Sequence, residues 1–228
     1  MTYYDLHTHE VRPVTGQNFS ICNLPCEKSF ADPGIYPDTY FSAGIHPWHI
    51  ASKETELLIG QLAQIASSPR ILAIGECGLD KLTDTPLAVQ EIIFRQQIEI
   101  AEKHEKPMII HCVKAFNELI RLHKETTPRQ AWIIHGFRGK PQLAEELLQH
   151  GIRISVGIQF NSGITTALSP TRLLLETDDS NISIEAVYGQ AAGTWNITEK
   201  ELGTLIEKSF RTLFRLPDNK EENTPQNF

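Results

Sequence analysis

Short apolar runs, most of them ended by a histidine or a carboxylate and followed by a helical pattern, recur through the chain. ILAIGE (Ile71 to Glu76), PMIIHC (Pro107 to Cys112), AWIIHG (Ala131 to Gly136), IRISVG (Ile152 to Gly157) and RLLLETD (Arg172 to Asp178) are the clearest. Continuous apolar character fits strands of a parallel sheet buried on both faces, because a strand with one wet face would alternate. Between the runs, apolar residues repeat by three and four. Leu58, Leu62 and Ile65 do so between a Ser52 N-cap and Pro69; Phe94, Ile98 and Ala101 between Pro86 and Lys106; Phe116, Leu119, Ile120 and His123 next; then Leu143, Leu147 and Leu148 between Pro141 and a Gly151 stop. A short helical turn is expected around Ile164 to Leu168. Thr198 and Glu201 form a capping box for a last helix with Leu202, Leu205, Ile206, Phe210 and Leu213 inward, and Asp179 to Thr198 reads as a loop.

The first part of the chain supplies strands without such helices. YYDLHTH (Tyr3 to His9), FSICNL (Phe19 to Leu24) and YFSAGIH (Tyr40 to His46) are separated by Pro- and Gly-bearing segments. The count of about eight strands predicts an α/β fold, a (β/α)8 TIM-type barrel whose helices after strands one and two are shortened or missing. With 40% hydrophobic residues and no low-complexity linker, residues 1–217 are expected to form a single domain and 218–228 a polar tail. No signal-like or membrane-spanning run is present, so the expectation is a soluble cytoplasmic protein. The cysteines at 22, 26, 77 and 112 lack C-x-x-C spacing and read as reduced, mostly buried thiols.

In a barrel of this type the active site forms at the C-terminal ends of the strands. The first strand ends in His7 and His9, which share a face with Asp5 by alternation, and the third ends in His46. Glu76, His111, His135 and Asp178 end later ones. H-x-H alone reads equally as two partly exposed histidines on an edge strand. Titratable ligands ending nearly every run are another matter, because desolvating each of them in an apolar core is costly. Four histidines and two carboxylates at one mouth suit two divalent ions sharing a carboxylate, which generate hydroxide and clamp an in-line displacement. A hydrogen-bonded His/Asp network without metal is the other reading.

DLHTH, IGECGLD (Ile74 to Asp80), IIH, IIHGFRG and LLLETD together resemble the TatD family of metal-dependent hydrolases and nucleases, in the family's motif order from Tyr3 to Asp178. DLHTH by itself also resembles the polymerase-and-histidinol-phosphatase group. The TatD resemblance implies that His7 and His9 hold a first ion with Asp178, that Glu76 bridges, and that His111 and His135 hold a second. It implies a TIM-type barrel, and hydrolysis of phosphodiester bonds in DNA. His46 lies in a family GxHP box, as an orienting histidine or a substrate contact. Asp80 is expected to order its loop through an Asx turn, and Glu176 to be a buried acid paired with Arg153 or a ligand histidine. Cys77 and Cys112 alternate away from the metals.

The chain departs from the family where phosphates would be held. Lys81 stands where a Tyr is common, Val113 where an Arg is, and Asp179 to Thr198 holds no Lys or Arg in place of the family's R-N-x-P segment. Phosphate handling then falls to Lys114, Arg138 and Lys140, with Arg12 and Lys81 at the rim. Against 21 basic residues stand 28 acidic ones, a net charge of −7 that excludes non-specific coating of nucleic acid. The expected function is a TatD-like deoxyribonuclease of the 3′–5′ exonuclease type, using two divalent ions (Mg, Mn or Zn) on DNA ends or a small phosphoester. The alternatives are an amidohydrolase-like activity on a small cyclic amide or lactone, and a non-catalytic metal-binding scaffold.

Overall fold

The computed structural model describes residues 1–24, 29–50 and 54–217. Eight strands lie side by side in sequence order: β1 (Tyr3–Thr8), β2 (Asn18–Asn23), β3 (Tyr40–Ala43), β4 (Ile71–Asp80), β5 (Met108–Val113), β6 (Trp132–Ile134), β7 (Arg153–Val156) and β8 (Leu174–Leu175). Every neighbouring pair is parallel. The first and last strands meet at one parallel bridge, Thr8 to Asp178, where Asp178 N–H donates to His7 O (2.9 Å) and His9 N–H donates to Asp178 O (3.2 Å). The barrel is nearly closed. The hydrogen bonds that close it also bring His7, His9 and Asp178 to one point.

Six helices cover the barrel: α1 (Thr55–Ile65), α2 (Leu87–Lys103), α3 (Phe116–Thr126), α4 (Pro141–Gln149), α5 (Ile184–Trp195) and α6 (Glu199–Phe214). Nothing helical joins β1 to β2, and among the described residues between β2 and β3 only a 3-10 turn (Pro33–Ile35) is found. The crossing from β7 to β8 likewise uses two 3-10 turns, Ser162–Thr166 and Pro170–Arg172. Outward strand residues meet the helices as alternation requires. Tyr4 packs on Phe210 of α6 with ring centroids 4.9 Å apart and donates its hydroxyl to Glu207, while Phe94 of α2 meets Trp132 edge-on at 5.3 Å. Full burial of such a side chain contributes about 1.5–3 kcal/mol. The Thr198/Glu201 capping box is formed, and Leu202, Ile206 and Phe210 are buried, with Leu205 and Leu213 half-buried.

Three expectations need correction. The strand expected over Ile71 to Glu76 continues to Asp80, because Gly75 and Gly78 sit in backbone that hugs β5 and does not turn away. The strand expected from Arg172 to Asp178 shrinks to two residues, with Arg172 closing a 3-10 turn. The loop expected over Asp179 to Thr198 contains α5, capped by Ser183 and ended by left-handed Asn196. Its Gly189 and Gly193 lower helix propensity, and tertiary contacts override them: Tyr188 accepts from Tyr4 N–H (2.9 Å) and donates to Tyr4 O (3.2 Å). Cys22, Cys77 and Cys112 are free thiols, the last half-buried. The Ser52 cap, Cys26 and the tail from Asp218 lie outside the described residues.

Gly44, just past β3, supports the site by close approach. A Cβ there would lie 2.8 Å from the backbone C and Cα of Gly75 and 2.9 Å from Glu76 O. Gly44→Ala must therefore push the chain end bearing His46 away from the peptide bearing Glu76. The expected loss is about 1–3 kcal/mol, as for overpacking elsewhere. A urea melt checks it: a midpoint unchanged from the parent would show that the two segments separate freely.

Candidate metal centre

Glu76 is the hub. Its Oε1 lies 2.8 Å from His135 Nε2, 3.0 Å from His111 Nδ1 and 3.2 Å from His46 Nε2, and its Oε2 lies 3.5 Å from both His7 Nε2 and His9 Nε2. Asp178 Oδ1 stands across from it, 3.6 Å from His7 Nε2 and 3.5 Å from His9 Nε2. Five strand ends and the closing bridge thus deliver their polar residues to one mouth. Three overlapping sets of donor atoms cluster there: His7, His9 and Glu76; His7, His135 and Asp178; and His46, Glu76 and His111.

The donor set fits metal ions. Both ring nitrogens of His7 and Nδ1 of His135 are buried without a hydrogen-bond partner, a cost that native interiors rarely carry. Ligand atoms about 2.0–2.2 Å from a shared ion stand about 3.0–3.5 Å apart at octahedral or tetrahedral angles. The 3.5 and 3.6 Å gaps between His7, His9, Glu76 and Asp178 match that spacing and are too long for good hydrogen bonds.

His111 and His46 face Glu76 in different ways. The Nε2 of His111 lies 3.2 Å from Asp80 Oδ2, so an Nε2–H donated to Asp80 leaves Nδ1 as a lone pair beside Glu76. That is the carboxylate–histidine arrangement that orients a metal ligand. The Nδ1 of His46 accepts from Trp48 N–H at 3.1 Å, so the neutral ring carries its proton on Nε2. His46 then offers Glu76 an N–H donor and not a lone pair, and proximity alone overstates it as a ligand.

Charge follows the same map. Burial opposes the Glu76 charge, yet His135, His111 and His46 outweigh it and hold the carboxyl well below the usual range. Burial likewise opposes charge on His135, but Glu76 and Glu176 raise it well above an ordinary histidine. The facing carboxylates of Asp178 and Glu76 raise His9 to about 9 against its own burial. Burial raises Asp178, and His9, His135 and His7 more than offset this. Burial lowers His46, which fits the neutral ring.

Several supporting residues escaped the sequence reading. Asn23 accepts from Glu76 N–H at 3.2 Å. From α2, Gln97 brackets Ile45 (N–H to Oε1 2.7 Å, Nε2–H to O 3.1 Å) and Gln90 brackets Asp80 (2.8 Å each way), fixing the backbone beside His46 and at Asp80. Asp80 does make the expected Asx turn, accepting from Leu82 N–H at 2.7 Å, but it also accepts from Trp48 Nε1–H at 2.7 Å and faces His111. Continued alternation from Glu76 through Gly78 would have placed it. Glu176 accepts from Gly136 N–H and Ser155 Oγ–H and lies 3.8 Å from His135 Nδ1. Of the expected pair it is thus the histidine that lies near, at ion-pair and not hydrogen-bond distance; Arg153 is shifted down by burial and Arg172.

A cavity of about 750 Å³ opens over this centre, bordered by Asn23, Trp48, Arg138 and Asp179 among others. Arg138 lines it, whereas Lys114 and Lys140 do not. Lys81 pairs with Glu118 at 2.7 Å, and Arg12 with Glu10. Cys77 is fully buried, while Cys112 borders the cavity.

A family profile described as TatD related DNase matches residues 27–215. The chain belongs to the TatD-related DNase family. His7 and His9 precede the matched segment, so their place in the site rests on geometry. The chain is 28% identical to the 3′-5′ ssDNA/RNA exonuclease TatD of Pantoea vagans, over 89% of this chain and 87% of that protein. It is 29% identical to the uncharacterized metal-dependent hydrolase YjjV of Escherichia coli, over 68% of this chain but only 63% of that protein. The crystal structure of YjjV superposes with a TM-score of 0.81, covering 94% of this chain and 98% of that one at 23% identity, which establishes the shared TIM-barrel fold. Among the described residues, no helix is long and apolar enough to cross a membrane.

Proposed function

We propose that this TatD-family metal-dependent hydrolase cleaves phosphoester bonds at the end of a DNA strand, as a 3′–5′ deoxyribonuclease. The observation that carries the reading is Glu76, a buried carboxylate within 3.5 Å of five histidine rings and facing Asp178 across His7 and His9. His7, His9 and Asp178 would hold one ion, His111 and His135 a second, with Glu76 between them. Two such ions supply Lewis acidity to a phosphoryl oxygen and a water acidified toward neutrality. Asp178 receives the proton of the attacking water at its carboxylate. His46 holds an N–H at Nε2 where it can meet a substrate oxygen, and Arg138 binds a phosphate at the wall. Likeness to the Pantoea exonuclease supports DNA or RNA ends as the substrate class.

One observation favours a smaller substrate: of the lysines and arginines among the described residues, Arg138 alone lines the cavity. An amidohydrolase-like attack on a small cyclic amide or lactone uses the same donors. A hydrolysis screen of DNA ends, mononucleotide esters and small amides under defined Mg, Mn and Zn separates the two; turnover of amides alone would overturn the nuclease reading.

Salt dependence sharpens the choice. Each phosphate contacted on a single strand contributes about 0.7 log units of affinity per log unit of salt. With net charge −7 and Arg138 at the wall, oligonucleotide KM is expected to show a shallow slope, worth two or three phosphates at most. Arg138→Ala should flatten it further by about one contact, and Lys140→Ala by less. A slope needing six or more contacts would refute the short footprint.

A further inference from the structure

The indole of Trp48 is 63% exposed, although it stands at the wall of the cavity over Glu76. Exposed tryptophan is common enough on surfaces, but this one is held in a fixed pose. Its Nε1–H donates to Asp80 Oδ2 at 2.7 Å and its backbone N–H donates to His46 Nδ1 at 3.1 Å. Its ring stands nearly perpendicular to two imidazoles, 4.8 Å and 79° from His46 and 5.8 Å and 73° from His111. The polar edge of the indole is therefore satisfied within the protein while a large apolar surface stays in water. An aromatic ring fixed this way loses little conformational freedom when another ring stacks on it.

Charge in the cavity makes that surface count. Among the described residues, Arg138 is the one lysine or arginine at the wall, so phosphate contacts away from the metal centre supply little binding. A substrate must draw its remaining affinity from something else. Base–aromatic stacking is the sequence-tolerant alternative, because every base has a π-face. The indole centroid lies 5.8 Å from that of His111, whose Nδ1 stands 3.0 Å from Glu76 Oε1, so a ring seated on the indole is within one nucleotide of Glu76.

We infer that Trp48 is the seat for one nucleobase, the planar group of the nucleotide whose phosphoester is cut, and that it sets the preference for nucleotide over plain phosphoester substrates. The inference rests on the phosphoesterase reading above. Away from the metal centre, Arg138 holds the phosphate at the wall and Trp48 holds the base.

Calorimetry on the metal-loaded protein tests the seat with two probes, dAMP and 2-deoxyribose 5-phosphate, which differ only in the base. The parent should bind dAMP about tenfold or more tightly than the sugar phosphate, in line with one stacked base. Trp48→Ala should erase most of that ratio and leave the sugar phosphate unchanged. Trp48→Phe, which keeps a π-face but loses the Asp80 hydrogen bond, should retain most of it. Equal weakening of both probes by Trp48→Ala, or a Phe variant as impaired as Ala, would show that Trp48 only props Asp80 and would overturn the seat. A second arm compares KM for a short oligonucleotide with that for the same oligonucleotide abasic at its 3′ end. A rise matching the Trp48→Ala effect supports the seat with a strand end as its occupant; no rise, together with retained dAMP discrimination, supports it with a free nucleotide. Absence of phosphoester turnover in the parent, with the dAMP ratio intact, would sink the phosphoesterase reading while leaving the seat standing.

Discussion

Turnover of any substrate is expected to fall at least about 10³-fold when Glu76 is replaced by alanine, because on the proposed reading Glu76 would hold both ions, which together would supply several kcal/mol of charge stabilisation. The barrel should remain folded, since Glu76 faces the mouth and the apolar residues of β4 beneath it, Ile71, Ala73 and Ile74, are untouched. Metal content should fall with turnover. Glu76→Gln is the informative companion: it keeps the shape and one acceptor oxygen but loses the charge that His135, His111 and His46 stabilise. It should bind metal more weakly than the parent and better than Glu76→Ala. Elemental analysis beside steady-state kinetics reads both quantities. Near-parental turnover in a folded Glu76→Ala protein would show that Glu76 does not join the two sites.

The same residues explain how far the sequence was legible. The convergence of the clustered side chains could be read because each is a titratable residue in or just after an otherwise apolar run, and a barrel turns strand ends into neighbours. Glu76, His111 and His135 converge for that reason alone. Support from outside the strands left weaker marks. Gln90 and Gln97 lie seven apart on α2, two turns on one face, and look like surface polar residues until each is found 1% exposed against a backbone peptide. Asp80 makes the Asx turn its sequence suggests, but its place at the end of β4 facing His111 was hidden behind Gly75 and Gly78, which let β4 pass close to β5. A Cβ on Gly78 would fall onto the carbonyl oxygen of His111. Which histidine offers a lone pair and which an N–H cannot be read from order in the chain. It depends on the second ring nitrogen, with Trp48 deciding for His46 and Asp80 for His111.

Asp178→Asn should separate the chemical role of this residue from its structural one. Asp178 sits at φ 55°, in the left-handed region, while its backbone closes the barrel to His7 and His9. Asparagine tolerates that backbone about as well as aspartate, whereas alanine is strained there by about 1–2 kcal/mol. The Asn variant should therefore melt close to the parent and the Ala variant lower. Both lose the anionic oxygen that stands 3.5–3.6 Å from His7 and His9 and would take the proton of the attacking water. Loss of a positioned general base costs typically about 10²–10⁴-fold, so both should be slowed by such a factor despite their different stabilities. Metal at the Glu76–His111 side should survive in each, because Asp178 is not among the donors grouped there, His46, Glu76 and His111. Turnover within tenfold of the parent in Asp178→Asn, at full metal content, would remove Asp178 from the chemistry and leave it a barrel-closing residue that happens to face the ions.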